Sequence, residues 1–161
     1  MKNININKVK SSDAQFLHTL MNNGSIISVL NEVPTTVDVW SDAIDKWEQD
    51  DDEEDYIIFD EDLPIGWLGI NGLSSAEKKV FIKIIVLLPN YQKRGIGQYV
   101  IHQTKENLKS RGFLSIGLYT NQSNIQAQRC YSKCGFEVTD EIVQKMSNGE
   151  IIHRFKMECI L

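Results

Sequence analysis

The sequence has few cysteines and lacks long apolar runs, and each shortage excludes a class of protein. Its three cysteines, Cys130, Cys134 and Cys159, are odd in number and fit no disulfide framework, so a reducing cytoplasm is the expected location. No apolar run approaches the roughly 20 residues that a membrane-spanning helix needs. The opening stretch, MKNININKVKSSD, contains no apolar core of a secretory signal. We therefore expect a cytoplasmic protein without a membrane partner.

The chain lacks an excess of positive charge, because its 17 lysines and arginines are outnumbered by 22 aspartates and glutamates. The net charge is −5, and the acidic block at residues 50–55, DDDEED, accounts for more than all of it, so the rest of the chain is close to neutral. Because nucleic-acid-binding proteins usually carry a basic patch or stripe, we expect no nucleic-acid partner. The acidic block has two interpretations. It is either a solvated run that keeps the protein soluble or a surface that attracts a cationic acceptor.

Length and periodicity predict a single domain, residues 1–161, with helices and strands around one mixed sheet. Val37, Trp40, Ile44 and Trp47 recur at helical spacing, so we expect one helix face that packs both tryptophans onto the sheet. The acidic block should end that helix, because its carboxylates oppose the helix dipole. The expected order is a strand at 3–9, helices after residues 11–13, at 25–31 and after Pro34, strands at 55–59, 64–70 and 79–88, a helix from 96, a strand at 113–120, a helix at 124–134, and two C-terminal strands around a turn at 147–149.

The stretch LPNYQKRGIGQYV, residues 88–100, places two glycines and two cations where a strand gives way to a helix. The first N–H groups of a helix lack intrahelical partners, and glycine lets a bulky anion approach the backbone. Gly95 and Gly97, preceded by Lys93 and Arg94, therefore indicate a site for a pyrophosphate. The alternative is an ordinary helix entry with solvated cations. The stretch matches neither the P-loop pattern nor the six-residue dinucleotide fingerprint.

A second motif follows one predicted helix and one predicted strand later. The stretch NQSNIQAQRCYSKCGFE has the pattern N-x-x-A-x-x-x-Y-x-K-x-G-F. Together with LLPNYQKRGIG it resembles the GNAT superfamily of N-acetyltransferases over residues 79–139. The resemblance implies an α/β (α+β) GNAT fold, with a central mixed, mostly antiparallel sheet of six or seven strands flanked by about four helices. It also implies acetyl-CoA as the cosubstrate, with no metal.

The resemblance assigns roles to individual positions. Tyr131 corresponds to the general acid of the family, and Asn124 to the asparagine that contacts the coenzyme arm. Main-chain groups at the end of the preceding strand pair with the pantetheine, an N–H near Leu87 or Leu88 stabilises the developing oxyanion, and the loop binds the pyrophosphate. Gln92 stands where arginine is frequent. The expected coenzyme-binding residues are Val86, Leu87, Leu88, Gln92, Lys93, Arg94, Gly95, Ile96, Gly97 and Asn124.

The general base has no obvious candidate. Many members of the superfamily place a glutamate on the strand before the loop, but this strand reads KVFIKIIVLL and has no carboxylate. Either water takes the proton or a group from another element does, and Asp60, Glu61 and Asp62 on a predicted hairpin turn are candidates. Cys130 and Cys134 are four residues apart on a predicted helix, but no further metal ligands accompany them, so we expect small core residues.

The predicted function is N-acetyl transfer from acetyl-CoA to a primary amine, on a small molecule or a peptide, by direct attack. Two alternatives are a non-catalytic acyl-CoA-binding module or sensor on the same fold, and a nucleotide-phosphate binder. Members of the superfamily often dimerise through their C-terminal strands, and the apolar end IIHRFKMECIL is compatible with a homodimer.

Overall fold

Twelve helices and strands, besides two short 3-10 turns at residues 11–13 and 89–91, follow one another in the computed structural model, which describes residues 1–161. None of the helices is long and apolar enough to cross a membrane. There are five α-helices, one more than the expected number of about four. The elements are β1 (Ile4–Lys8), α1 (Ala14–Met21), α2 (Gly24–Leu30), α3 (Val37–Gln49), β2 (Glu53–Asp60), β3 (Leu63–Asn71), β4 (Lys79–Leu87), α4 (Ile96–Ser110), β5 (Ser115–Asn121), α5 (Ile125–Lys133), β6 (Glu137–Lys145) and β7 (Ile151–Ile160).

All seven strands form one sheet in the order β1-β2-β3-β4-β5-β7-β6. Only β4 and β5 run parallel, and every other neighbouring pair is antiparallel. A parallel pair needs a crossover connection, which α4 supplies between the two strands. The prediction of a mixed, mostly antiparallel sheet of six or seven strands is confirmed.

Helices cover both faces of the sheet and divide the core in two. On one face Val100, Ile101 and Leu108 of α4 pack in a cluster that contains residues of β3, β4, β5 and β7. On the other face, residues of α1, α2 and α3 pack against β2, β3 and β4. Trp40 and Trp47 of α3 both lie 5.5 Å from the ring of Trp67, which confirms that they hold the helix on the sheet. This second cluster stops at β4, because it contains no residue of β5, β6 or β7.

The acidic block ends α3 as expected, because the helix stops at Gln49, but β2 begins inside the block, two residues before the strand expected at 55–59. It contains the end of one turn and the start of β2, which begins at Glu53. Asp52 accepts hydrogen bonds from the N–H groups of Gly72 and Ser74, at 3.1 and 2.8 Å. Glu54 accepts two from the guanidinium of Arg111, at 3.0 and 3.1 Å. These partners offset the mutual repulsion of the carboxylates, so the block can join the sheet.

Asp55 is the buried member of the block, with 5% of its surface exposed. Its Oδ1 accepts from the indole N–H of Trp67 at 2.7 Å and lies 3.2 Å from the Lys83 ammonium, which also pairs with Glu53. The same ammonium lies 4.6 Å from the centre of the Trp47 ring. Burial, reinforced by the neighbouring Glu53, raises the pKa of Asp55 to about 7.

The raised pKa of Asp55 predicts a pH-dependent loss of stability. Between the ordinary value of about 4 and the folded value of about 7, the folded chain holds a proton that the unfolded chain has lost. The contribution of Asp55 to the free energy of unfolding therefore falls as pH rises through this window, by up to about 1.4 kcal/mol per pH unit. Asp55→Asn removes this term, so the stability of wild type relative to D55N should decline from about pH 4 to about pH 7 in denaturant titrations.

Asp51 supplies the matched control for this prediction, because it is exposed and belongs to the same acidic block. Asp51→Asn makes the same change of charge at an exposed position, so a pH-dependent difference that is seen with D55N and absent from D51N belongs to the buried site. A wild-type minus D55N difference that stays constant with pH would show that Asp55 is ionised throughout.

Candidate functional site

A cleft opens in the middle of the sheet, between its two parallel strands. β4 and β5 pair only from Lys79 with Ser115 to Ile82 with Leu118. Beyond these pairs β4 continues to Leu87 and β5 continues to Asn121 without pairing to each other. The cleft is therefore bordered by residues 83–88 on one side and 119–121 on the other. Both borders carry main-chain groups that are not paired with a neighbouring strand, and an extended ligand can add to such an edge.

Alternation along β4 determines which peptide groups face the cleft. The Leu88 N–H donates to the Ile65 carbonyl on β3 at 2.8 Å. Since successive residues of a strand turn their peptide groups to opposite sides, Val86 also faces β3, and Leu87 faces the cleft. The Leu88 N–H is thus already engaged, so of the two expected oxyanion donors only the Leu87 N–H is turned toward the site. The Leu87 carbonyl accepts from the Gln92 side chain at 2.9 Å.

Alternation along β5 likewise determines which peptide groups face the cleft from its other border. The Gln122 N–H donates to the His153 carbonyl on β7 at 3.0 Å. By alternation, the peptide groups of Tyr119 and Asn121 are directed toward the cleft. The Asn121 carbonyl is occupied, because it accepts from the Gln128 side chain of α5 at 3.0 Å. This bond fixes α5 to the end of β5.

At the end of β4, the loop into α4 presents a row of free donors. The six successive N–H groups from Lys93 to Gln98 donate to no acceptor within the chain. Lys93 and Gly95 have φ angles of 59° and 79°, in the left-handed region, and this alternation turns neighbouring N–H groups toward one point. The positive end of the dipole of α4 lies at the same place. The arrangement is suited to a phosphate or pyrophosphate.

The side chains of the loop differ in their exposure and in their contacts. Gln92 ties the loop to β4 through its bond to Leu87, whereas Lys93 and Arg94 are exposed at the rim. The guanidinium of Arg94 lies 5.2 Å from the centre of the Tyr91 ring. Ile96 is buried and anchors the first turn of α4 in the core.

Gly97 leaves one side of that first turn bare. A Cβ atom built there would meet nothing closer than the Cys130 sulfur of α5, at 3.7 Å. This proximity also shows that α5 lies beside the start of α4, so Tyr131 and the loop belong to the same part of the molecule. Glycine at this position permits a ligand to approach the backbone that any side chain would hold away.

Helix α5 contributes the two remaining predicted residues. The side-chain Oδ1 of Asn124 accepts from the Ala127 N–H at 3.1 Å, so this side chain caps the helix and its amide NH₂ is left to bind a ligand. Tyr131 is half-buried, with its ring 6.1 Å from that of Phe136, and its hydroxyl has no hydrogen-bond partner in the chain. Burial raises the pKa of Tyr131, and the nearby charge of Arg154 partly opposes this effect.

The candidate general bases lie away from the cleft. Asp60 ends β2 and shares a cavity of about 260 Å³ with Arg94 and Ile96. In the sheet, β4 lies between the β2–β3 hairpin and the cleft, so residues 60–62 are outside it. No group of three or more histidine, cysteine or acidic side chains is placed to hold a metal ion. Cys134 is buried and Cys130 half-buried, as expected for packing residues.

Two polar residues that the sequence did not single out lie at the cleft. Asn121 ends β5 and is buried, and Arg154 faces it from β7. The Arg154 Nε donates to the Asn121 side-chain oxygen at 3.1 Å. A weak signal was present, because Arg154 interrupts the apolar run of the last strand, but its partner is 33 residues away in the chain.

Comparison with known proteins agrees with this geometry. A family model described as the acetyltransferase (GNAT) family matches residues 26–136, a range that includes the loop at 92–97 and Tyr131. No curated protein matches the sequence.

Several solved structures share the fold. A spermidine N-acetyltransferase from Vibrio cholerae, in complex with CoA and spermine, superposes with a TM-score of 0.88 at 21% identity, covering 99% of this chain and 96% of that one. A dodecameric structure of the spermidine N-acetyltransferase from Vibrio cholerae, in an intermediate state, gives 0.82 at 21% identity, with 99% and 95% covered. An acetyltransferase from Thermus thermophilus gives 0.82 at 16% identity, with 99% and 97% covered. At these identities the likeness concerns the fold alone.

Proposed function

The chain belongs to the acetyltransferase (GNAT) family, and from this premise we propose that it transfers the acetyl group of acetyl-CoA to a primary amine by direct attack, with Tyr131 as general acid. N-acetyl transfer is the general activity of such an enzyme. The cleft between β4 and β5, which ends at the six unpartnered N–H groups of residues 93–98, is the observation that carries the proposal. This cleft is suited to the coenzyme, whose extended pantetheine arm carries amide groups and ends at a pyrophosphate.

Coenzyme binding follows from the main chain rather than from side chains. The pantetheine arm is extended and carries two amide groups, so it can pair with the open edge of β4 as an added strand would. Its partners there are the peptide groups of β4 that alternation turns toward the cleft, the Leu87 carbonyl among them, while the Leu87 N–H is left for the thioester oxygen. The pyrophosphate then lies on the N–H groups that follow Gln92, and Lys93 and Arg94 add charge at the rim. Asn124 offers its free amide to the arm from the opposite side.

The reaction needs a hydrogen-bond donor for the oxygen that becomes negative and an acid for the departing thiolate. The neutral amine attacks the thioester carbonyl carbon, and negative charge develops on the carbonyl oxygen, where the Leu87 N–H stabilises it. A carbon–nitrogen bond forms and the carbon–sulfur bond breaks. Tyr131 gives its proton to the departing thiolate and is reprotonated from water, which receives the proton lost by the amine. β4 carries no carboxylate between Val80 and Leu88, so we assign the role of proton acceptor to water.

The chain would act in the cytoplasm, and we propose that it forms a homodimer through its C-terminal strands. β6 is the edge strand of the sheet, and nearly all of its residues are exposed. Such an edge presents unpaired N–H and C=O groups to which another chain can pair, and Val138 and Val143 expose apolar side chains along it. A second copy of the chain is the simplest occupant of that edge.

Release of free coenzyme thiol from acetyl-CoA, with the product identified by mass, tests the proposed reaction. The acceptor panel should contain polyamines, because spermine is bound in the Vibrio cholerae structure, together with aminoglycosides, amino acids and lysine peptides. We expect turnover on one class of primary amine. Tight coenzyme binding with no turnover on any class would instead favour the non-catalytic binding module, and ATP competing as well as CoA would favour a nucleotide binder.

A further inference from the structure

Arg154 extends its guanidinium to the mouth of the cleft. Its residue lies opposite Asn121 in the pairing of β5 and β7. Besides the bond to Asn121, one terminal nitrogen donates to the Gln144 side chain at 2.9 Å and the other to the Tyr119 carbonyl at 3.2 Å. The Tyr119 carbonyl is one of the groups that alternation directs into the cleft. Arg154 therefore stands on the β5 border of the cleft.

The charge of Arg154 has no counter-ion in the chain. Its three hydrogen-bond acceptors are two side-chain amides and one peptide carbonyl, all neutral. None of the ion pairs of the structure includes Arg154. The side chain is half-buried, and desolvation lowers its pKa. A partly buried cation without an anion is costly unless a ligand supplies the anion.

The other charged side chains near Arg154 form no ion pair with it. Two residues further along β7, Lys156 pairs with Glu158, which also pairs with Lys79. The exposed carboxylate of Glu150 accepts from the side-chain amides of Asn31 and Asn148, at 2.6 and 2.8 Å. The charge of Arg154 thus remains without a counter-ion.

Buried amides hold Arg154 in a fixed position. Asn121 accepts from the Arg154 Nε and donates to the Asn31 side-chain oxygen at 2.8 Å, and Asn31 in turn donates to Glu150. Asn31 and Asn121 are both more than nine-tenths buried. Since guanidinium has five N–H groups and three are used, two remain, one on each terminal nitrogen. Such a pre-positioned fork is suited to a carboxylate.

We propose that Arg154 binds a carboxylate carried by the acceptor, an inference that rests on the proposed N-acetyl transfer. The substrate is then an amino acid or a peptide-like amine rather than a polyamine. The acceptor's amine then points along the cleft toward Leu87 and Tyr131, while its carboxylate is held at the mouth. A polyamine offers only cations to this position and would be repelled by Arg154.

Acceptor binding to the CoA-loaded protein, measured by calorimetry, tests this assignment without requiring turnover. The probes are matched pairs that differ by one carboxylate, lysine against 1,5-diaminopentane and ornithine against 1,4-diaminobutane, followed by the other amino acids. We expect the carboxylated member of a pair to bind about 10- to 100-fold more tightly. Arg154→Gln should abolish that preference and leave the affinity for the diamine unchanged or higher.

Lys156→Gln is the matched control, because it removes one charge from the same strand and the same face. It should leave the preference intact, and Arg154→Lys should keep part of it. Tighter binding of the diamines, no binding of any carboxylated amine, or an equal loss for both members of a pair in R154Q would each overturn the assignment. Turnover is scored separately, so binding that depends on Arg154 without thiol release would contradict the proposed reaction and leave the carboxylate site in place.

Discussion

Replacement of Tyr131 by phenylalanine is expected to lower kcat by about 10²-fold to 10⁴-fold while coenzyme affinity stays within about twofold of wild type. The substitution removes only the hydroxyl, which makes no hydrogen bond within the chain, and keeps the ring against Phe136. The fold should therefore be unaffected, and the loss should appear in the step in which the thiolate departs. Steady-state kinetics of thiol release, together with calorimetric binding of CoA, measure the two quantities.

The pH dependence provides a second test of Tyr131. Because burial raises its pKa above the ordinary value of about 10, the acid stays protonated throughout the usual assay range. The rate of wild type should rise with pH as the amine loses its proton and should not fall again below about pH 10. Tyr99→Phe removes a hydroxyl from the neighbouring helix α4 and serves as the control. A wild-type kcat in Y131F would exclude Tyr131 as the acid.

Replacement of Gly97 by alanine should weaken coenzyme binding by about 10- to 100-fold without harming the fold. The added methyl has room within the protein, since its nearest neighbour would be the Cys130 sulfur at 3.7 Å. Alanine is also the better helix former, by about 1 kcal/mol. The same methyl would stand between the bound pyrophosphate and the N–H groups of residues 93–98. Calorimetric titration with acetyl-CoA and thermal unfolding of the variant measure the two effects.

Gly24 offers a matched control for this substitution. It is the first residue of α2, and a Cβ built there would meet nothing within 4 Å. Gly24→Ala makes the same chemical change at the start of a helix far from the loop, and it should leave acetyl-CoA affinity unchanged. If G97A bound acetyl-CoA as tightly as wild type does, the pyrophosphate would lie elsewhere.

Local signals were enough to predict the elements around the site. Gly95 and Gly97 after an apolar run identified the loop, and the apolar spacing from Ile96 to Leu108 predicted α4, which buries those residues as expected. These features depend on residues close in sequence, for which periodicity and turn chemistry are informative.

The remaining features depend on contacts that sequence patterns do not contain. Whether Leu87 or Leu88 faces the cleft is determined by the bond from Leu88 to Ile65 on another strand. The neighbourhood of Arg154 arises because β7 inserts between β5 and β6, against the order of the chain. From its charge, the acidic block was expected to lie on the surface. Asp55 is instead buried against Trp67, and composition does not show which residues meet in the folded chain.

Intact-protein mass spectrometry of the enzyme incubated with acetyl-CoA alone tests whether the acetyl group passes from the coenzyme to the acceptor without an acetylated enzyme between them. Direct transfer predicts an unmodified chain and no released thiol until an amine is added, after which one acetylated amine appears per thiol. A stable gain of one acetyl group by the enzyme, with thiol released before any acceptor is present, would contradict it. Cys130, half-buried beside Gly97, would then be the first residue to examine as the acetylated nucleophile.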